Sequence, residues 1–492
     1  MSETPATITT RRGLGKVATI FACGTALFSD GYQNNIVGSV NTILRKLYGD
    51  LYAANNHATL FSSMGFAGTV LGMLTWGYIS DKFGRKSGMM SATTIIVVFA
   101  ILQTGAYGAG GSITGMLQAL IAYRFLIGIG IGAEYPAGSV ACAESTEDPA
   151  INQKHQHRLF VLASNTSIDV AFVVSAFVPL VLLWICGQNH LRLHVTRVWR
   201  LCFGVGIVPP LLIFFIRLGM SNPVRYQQSA ITKVRTPYWL ALKRYWRSFV
   251  GLSLCWFLYD MISYPFGLYS STIVDIITGG DEALTTTFAW NVVINAFYLP
   301  GCIAGAFLVD WLKPKRQMII FLLLQAVFGF FMSGFYSQLT QHVAGFAVMY
   351  GLFLSMGEAG PGDCLGLLAS KLWPTAVRGQ MYGVAAAVGK IGAFVGTWAF
   401  PAIINDFPAG DAQTSGPFWI GSGMAILSAL IIFFLVPEVH PNHMTNEDEA
   451  FRLYLEENGW DVSHMGAAPA VGAGAEDKSE KSSTDAKVSP VV

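Results

Sequence analysis

Long apolar runs, each about twenty residues, alternate with short polar segments along the whole chain. A run of that length crosses a hydrocarbon core of about 30 Å as a helix. Twelve spans are expected. They cover 17–44, 57–79, 87–107, 113–141, 159–186 and 199–218, then 249–278, 285–311, 318–336, 343–368, 380–404 and 417–436. Segments such as 318–335 show no period-two alternation, which excludes a membrane β-barrel. The expected fold class is an all-α polytopic membrane protein, with twelve transmembrane helices in two six-helix bundles, 17–218 and 249–436. The polar stretch 219–248 joins them. A polar tail, 1–16, precedes the first span and a longer one, 437–492, follows the last. Within the latter, 440–460 is acidic and is expected to form a short helix. The Ala-, Gly- and Ser-rich remainder after Gly466 is expected to be disordered.

Charge placement orients the chain. Lys16, Lys82, Arg85, Lys86, Lys154, Arg158, Lys313, Lys315, Arg316, Lys371 and Arg378 all fall in loops of one side, with Arg225, Lys233, Arg235, Lys243, Arg244 and Arg247 between the two bundles. The opposite loops after spans 3, 7, 9 and 11 carry no Lys or Arg; Arg45, Lys46, Arg192, Arg197 and Arg200 are the exceptions. Positive loops stay inside, so both termini are expected in the cytoplasm. Charged residues make up 12% of the chain, against about 25% in soluble domains. A lipid bilayer is therefore the main partner, and no basic stripe suggests nucleic acid. The cysteines are scattered without metal spacing, so a metal is not expected. No nucleophile–base set or cofactor loop suggests an enzyme. No cofactor is expected, and a monomer is the expected state.

Charges inside apolar spans carry the chemistry, because a charge at membrane depth is a functional-site hypothesis by default. Arg124 and Glu134 share the fourth span, with Gly128, Gly130 and Gly132 between them. The glycines are read as packing positions. Arg124 lies nearly three turns from Glu134, so Asp30 of the first span is its expected partner. Burial disfavours a charged carboxylate and lets it take up a proton near neutral pH. Asp30 and Glu134 are thus proton-coupling candidates, with Arg124. Lys390 stands among small and apolar residues and suits an anionic phosphoryl group; a structural salt bridge is the alternative. Trp256, Asp260 and Tyr264 are one turn apart and share a helix face. Trp256 and Tyr264 offer an N–H and an O–H to phosphate oxygens. Asp260 tolerates an anion beside it only when neutralised, which would make substrate and proton bind together. Tyr135, Glu358, Asp363 and Asp169 are further substrate-site candidates. The two acids of the tenth span suit a cationic group, hydroxyls or Lys390.

A weak internal repeat relates the halves. Gly77-x-x-x-Asp81-Lys82-x-Gly84-Arg85-Lys86 follows the second span, and Val309-Asp310-Trp311-x-Lys313-Pro314 follows the eighth. The first of these, with Arg124-x-x-x-Gly128-x-Gly130-x-Gly132, resembles motifs of the major facilitator superfamily. The resemblance covers all twelve spans and implies two bundles rocking about a central site. It also implies that Asp81, Arg85 and Lys86 gate the cytoplasmic face. Gly132-Ala-Glu-Tyr-Pro136, the Trp256–Asp260–Tyr264 set, Gly389-Lys390 and Asp30 are similar to the phosphate:proton symporters of that superfamily. The chain departs from them at Glu134 (Asp there) and at Gly362 within Gly360-Pro-Gly-Asp363, where they carry a phosphate-binding Asn. With Asn165-Thr-x-Ile-Asp169, these features resemble the fungal glycerophosphodiester permeases. That branch implies import of glycerophosphoinositol or glycerophosphocholine, small phosphorylated anions, by alternating access with protons as the coupling ion at the plasma membrane. Gly362 is then expected to leave room for the headgroup arm. Inorganic phosphate symport is the runner-up, and a non-transporting nutrient sensor on the same scaffold is the alternative of another class.

Overall fold

A computed structural model describes residues 15–465, apart from 54–55, 149–150, 187–191, 224–225, 228–229, 232–235, 278–283, 409 and 441–442. Residues 1–14, the cations Arg225, Lys233 and Arg235, and the low-complexity stretch from Gly466 lie outside the described residues. The described chain is helical. Eleven helices are long and apolar enough to cross a membrane. They are α2 (His57–Phe83), α3 (Arg85–Thr104), α4 (Ile113–Thr146), α5 (Gln153–Cys186), α6 (Thr196–Leu218), α7 (Tyr238–Asp275), α8 (Leu284–Leu312), α9 (Pro314–Gly334), α10 (Val343–Lys371), α11 (Arg378–Asp406) and α12 (Asp411–Leu435). The first expected span is α1, in two pieces, Lys16–Gly24 and Leu27–Tyr48. It is too polar to count with the others. Ser29, Asp30, Gln33, Asn34 and Ser39 are all buried in it, so α1 faces protein along most of its length.

One boundary differs from expectation for a physical reason. α7 begins eleven residues before residue 249, at Tyr238, and takes up part of the expected linker. Its first three turns bury Ala241 and Tyr245 on one side and leave Trp239 and Trp246 exposed on the other, an amphipathic pattern a hydropathy window misses. The acidic segment forms α13 (His443–Glu457), which buries Met444, Phe451 and Leu455.

Small residues set the packing. A methyl group on Gly128 or Gly132 of α4 would overlap the Gly65 or Thr69 carbonyl of α2, and one on Gly130 would meet Ala92 and Ile96 of α3. The glycines therefore let backbones touch. Between the bundles, α2 packs on α11, α5 on α8 and α1 on α7. The central site lies between these pairs.

The repeat in the sequence is a repeat in space. α4 and α10 each carry a π-turn, Tyr135–Ser139 and Glu358–Gly362, each containing a proline. Such turns re-aim side chains and recur at functional sites. Gly84 and Lys313 occupy equivalent turns, three residues after Asp81 and Asp310, both with positive φ (102° and 67°). That region suits glycine and is uncommon for lysine.

Candidate functional site

The π-turns and the inner faces of α1, α5, α7 and α11 line one central cavity. Tyr135, Trp256, Asp260, Tyr264, Glu358, Asp363 and Lys390 all line it. Sequence spacing placed three of these on one face of α7; only the fold brings the other four to them.

Lys390 is 1% exposed. Its ammonium stands 3.2 Å from Asp260 Oδ2 and donates to the Tyr264 hydroxyl. It also lies over the rings of Tyr264 and Tyr135, at 3.9 and 5.3 Å from their centroids. Asp260 Oδ2 has no hydrogen-bond donor of its own. The arrangement is the salt-bridge alternative, an ion pair between α11 and α7 in the cavity wall.

Asp30 sits behind Tyr135, whose hydroxyl donates to Asp30 Oδ2. The expected Arg124–Asp30 ion pair is not formed. Asn34 stands between them. It accepts from Arg124 Nη2 at 2.9 Å on Oδ1 and donates to Asp30 through Nδ2. The remaining Arg124 nitrogen contact is to the Gln33 carbonyl, at 2.8 Å. Arg124 thus reaches Asp30 through an amide one turn along α1.

Glu134 lies outside the cavity lining. Arg217 of α6 donates to both its oxygens, at 2.7 and 2.8 Å, and Thr93 donates at 2.9 Å. Arg217 also holds the Cys23 carbonyl, at 3.0 Å. Glu134 is therefore one half of a buried, hydrogen-bonded ion pair that ties α4 to α6 and to the break in α1. Arg217 sits at the last turn of α6 and was not singled out from the sequence.

A second polar cluster occupies the α10 side of the cavity. Asn165 Nδ2 faces Asp363 Oδ1 at 2.9 Å, Glu358 Oε2 at 3.2 Å and Asp169 Oδ2 at 3.4 Å. The Tyr259 hydroxyl donates to Glu358 Oε1 at 2.9 Å. Asp169 is buried behind Asn165 and does not line the cavity. Asn165 and Tyr259 were missed as site residues; the signal was present, since Asn165 opens the Asn-Thr-x-Ile-Asp stretch and Tyr259 adjoins Asp260. The expected free room at Gly362 is taken by the cluster. A Cβ there would overlap Glu358 Oε2 and come within 3.3 Å of the Tyr259 hydroxyl.

Contacts between the halves lie to both sides of the cavity. On the side of the basic loops, Asp81 accepts from the Gly379 and Gln380 amides of α11, at 3.0 and 2.8 Å. Asp81 also pairs with Arg85 at 2.6 Å, Arg85 with Glu144 at 2.9 Å, and Glu144 with Arg378 at 3.2 Å. A carboxylate at a helix N-terminus meets unpaired amides and the positive end of the dipole. Asp310 stands beside the first turn of α5 in the matching place, 3.8 Å from His157 Nδ1. Lys86, expected in the same latch, does not join it. Its ammonium donates to the Leu218 carbonyl at the end of α6, within its own bundle. On the opposite side, Lys46 pairs with Asp275 at 3.3 Å and Asn35 donates to Asn295 at 3.0 Å.

Residues 22–397 match the Major Facilitator Superfamily. A glycerophosphocholine permease of Candida albicans is 42% identical over 95% of this chain and 87% of its own length. The major glycerophosphoinositol permease of the same organism is 41% identical over 91% of this chain and 83% of its own. The structure of the proton:xylose symporter XylE superposes with a TM-score of 0.70 over 89% of this chain and 98% of that one, at 18% identity, which is a likeness of fold. With the two related bundles, the contact of Asp81 with α11 and the cavity at Lys390, these matches make the chain a member of the major facilitator superfamily, in the branch of the fungal glycerophosphodiester permeases.

Proposed function

We propose that this protein imports a glycerophosphodiester by alternating access, coupled to protons, at the plasma membrane, with the basic loops and both termini in the cytoplasm. The observation that carries the reading is the Lys390–Asp260 pair in the wall of the central cavity. Lys390, Tyr264 and Trp256 are the donors available to a phosphodiester anion, and lysine meets it as a point charge. The anion then takes Lys390 from Asp260. A carboxylate left facing an anion in a buried site is strongly unfavourable unless it takes a proton. Proton and substrate therefore bind together at this pair. Asp30, joined to Tyr135 beside Lys390, is the second proton site. Glu134, held by Arg217, is assigned to bracing rather than to proton transfer.

Rocking of the bundles exchanges the two sets of closing contacts. Release of Lys46–Asp275 opens the cavity outward, and release of Asp81 from α11 opens it inward. Reconstituted vesicles with an imposed pH gradient test the reading. Labelled glycerophosphocholine or glycerophosphoinositol should accumulate only with the gradient. Uptake of neither diester, or uptake indifferent to the gradient, overturns the import or the coupling respectively.

A further inference from the structure

The first turns of α7, a stem outside the transport site, carry an exposed stripe. Trp239, Lys243, Trp246, Val250 and Leu254 are all exposed, and at about 100° per residue they fall on one side of the helix, with Arg247 at the edge. The opposite side buries Ala241, Tyr245, Ser248 and Leu252. Val250 and Leu254 continue the stripe into the membrane-crossing part of the helix as apolar positions. The stem part holds two large rings, 75% and 51% exposed at Trp239 and Trp246, and two cations. No Asp or Glu occurs from Thr236 to Tyr259. Among the described residues no carboxylate pairs with Lys243 or Arg247.

Neighbouring elements put this face at the membrane surface. Gly251 backs onto Leu435 and Val436, where α12 and its apolar stretch end. At the same end of α12 the Lys315 ammonium donates to the Phe433 carbonyl at 2.9 Å, as a lysine does at the edge of a hydrocarbon layer. Trp246 and Arg247 lie about 5 Å beyond Val250 along the axis, at 1.5 Å per residue. A headgroup layer is about 5–7 Å thick on each side of the core. Both residues therefore stand in it, and the Arg247 guanidinium lies 5.6 Å from the Trp246 ring centroid. Lys243, about 10 Å out, reaches the same layer along its four-carbon chain. An interfacial ring beside cations without an acid suits a lipid whose headgroup is negative.

We propose that Lys243, Trp246 and Arg247 form a binding site for anionic phospholipid headgroups, in the leaflet on the side of the basic loops. The other face of the stem gives the site a consequence. Tyr245 donates to Glu447 of α13 at 2.6 Å and packs its ring on Phe451. The next acid, Asp448, accepts from the Thr375 amide and hydroxyl between α10 and α11, at 2.6 and 2.8 Å. That connection ends at Arg378, which reaches Glu144 of the first bundle at 3.2 Å. A bound lipid thus steadies the helix on which α13 and the start of α11 are braced.

Full-length protein in detergent is titrated with dioctanoyl phosphatidylserine and, separately, with dioctanoyl phosphatidylcholine, and bound lipid is counted by native mass spectrometry. Phosphatidylserine should bind about tenfold more tightly or better. Lys243→Gln with Arg247→Gln should weaken its binding about thirtyfold, the worth of two cations near an anionic surface, and leave phosphatidylcholine binding unchanged. Both side chains are exposed, so the fold does not rest on them. Lys315→Gln with Arg316→Gln removes two cations of the same side away from the stem and should cost about threefold or less. Equal affinity for the two lipids in the unaltered protein overturns the site. So does a preference that survives in the stem variant, or one that the two double variants reduce equally, since the attraction is then general to that side. The measurement needs no transport, so its outcome is independent of the import reading.

Discussion

The Lys390 ammonium and the Asp260 carboxylate face each other at 3.2 Å across the α7–α11 contact, both almost wholly buried. Each is the other's only ion-pair partner among the described residues. Removing one is therefore not equivalent to removing the pair. Lys390→Ala should abolish uptake of every diester while the protein still reaches the cell surface. Lys390→Arg should also fail, because a planar guanidinium cannot fill a point-charge site ringed by Tyr135 and Tyr264. Uptake assays paired with surface labelling check both; near-normal uptake by Lys390→Ala would remove the phosphate site.

Tyr135 joins the first bundle's acid to the second bundle's lysine. Its hydroxyl donates to Asp30, and its ring lies 5.3 Å from the Lys390 nitrogen. Asp30→Asn should still exchange substrate across vesicles but not accumulate it under a pH gradient. Tyr135→Phe should weaken accumulation less, since it removes the link and leaves the carboxylate. Counterflow and gradient-driven uptake, measured on the same vesicles, separate the two functions. Uphill uptake by Asp30→Asn would exclude it as a proton site.

Glu134 and Arg217 form a buried pair away from the cavity, so the expected effect of breaking it is on stability. Removing one partner of a buried pair costs about 3–5 kcal/mol. Glu134→Gln should lower the detergent melting temperature, and whatever protein survives should retain its dependence on the pH gradient. Unchanged stability together with lost coupling would return Glu134 to the proton path.

Asp81 holds the N-terminus of α11 through two amides. Asp81→Asn weakens this contact and removes the charge facing Arg85. The equilibrium should shift toward the form open on that side. A cysteine at Ser164, which lines the cavity, should then label severalfold faster in inside-out vesicles than in the same protein with Asp81 intact. Equal labelling rates would mean that Asp81 does not control opening.

The side-chain chemistry of the site was legible wherever it repeats along one helix. Trp256, Asp260 and Tyr264 recur every four residues, and four residues return to the same face. Lys390 was legible because a cation among alanines and glycines has no local explanation. Asp81 was legible from its turn, with Gly84 at a φ only glycine adopts readily. Partnerships between spans were not legible. Arg124 was assigned to Asp30, and Asn34 intervenes; Glu134 was given no partner, and Arg217 holds it.

What the sequence determined alone is the hydrophobic pattern and hence the helices, because a backbone in lipid must satisfy its hydrogen bonds within each segment. It also determined the two halves, through the repeat at Asp81 and Asp310. The tertiary structure decided which charge meets which. Inside a bundle a side chain's partner lies on another helix, tens to hundreds of residues away, and its identity depends on helix rotation and on the π-turns that aim Tyr135 and Glu358. No periodicity encodes that choice. It follows from close packing of whole helices, with glycines such as Gly128 and Gly132 fixing how near they come.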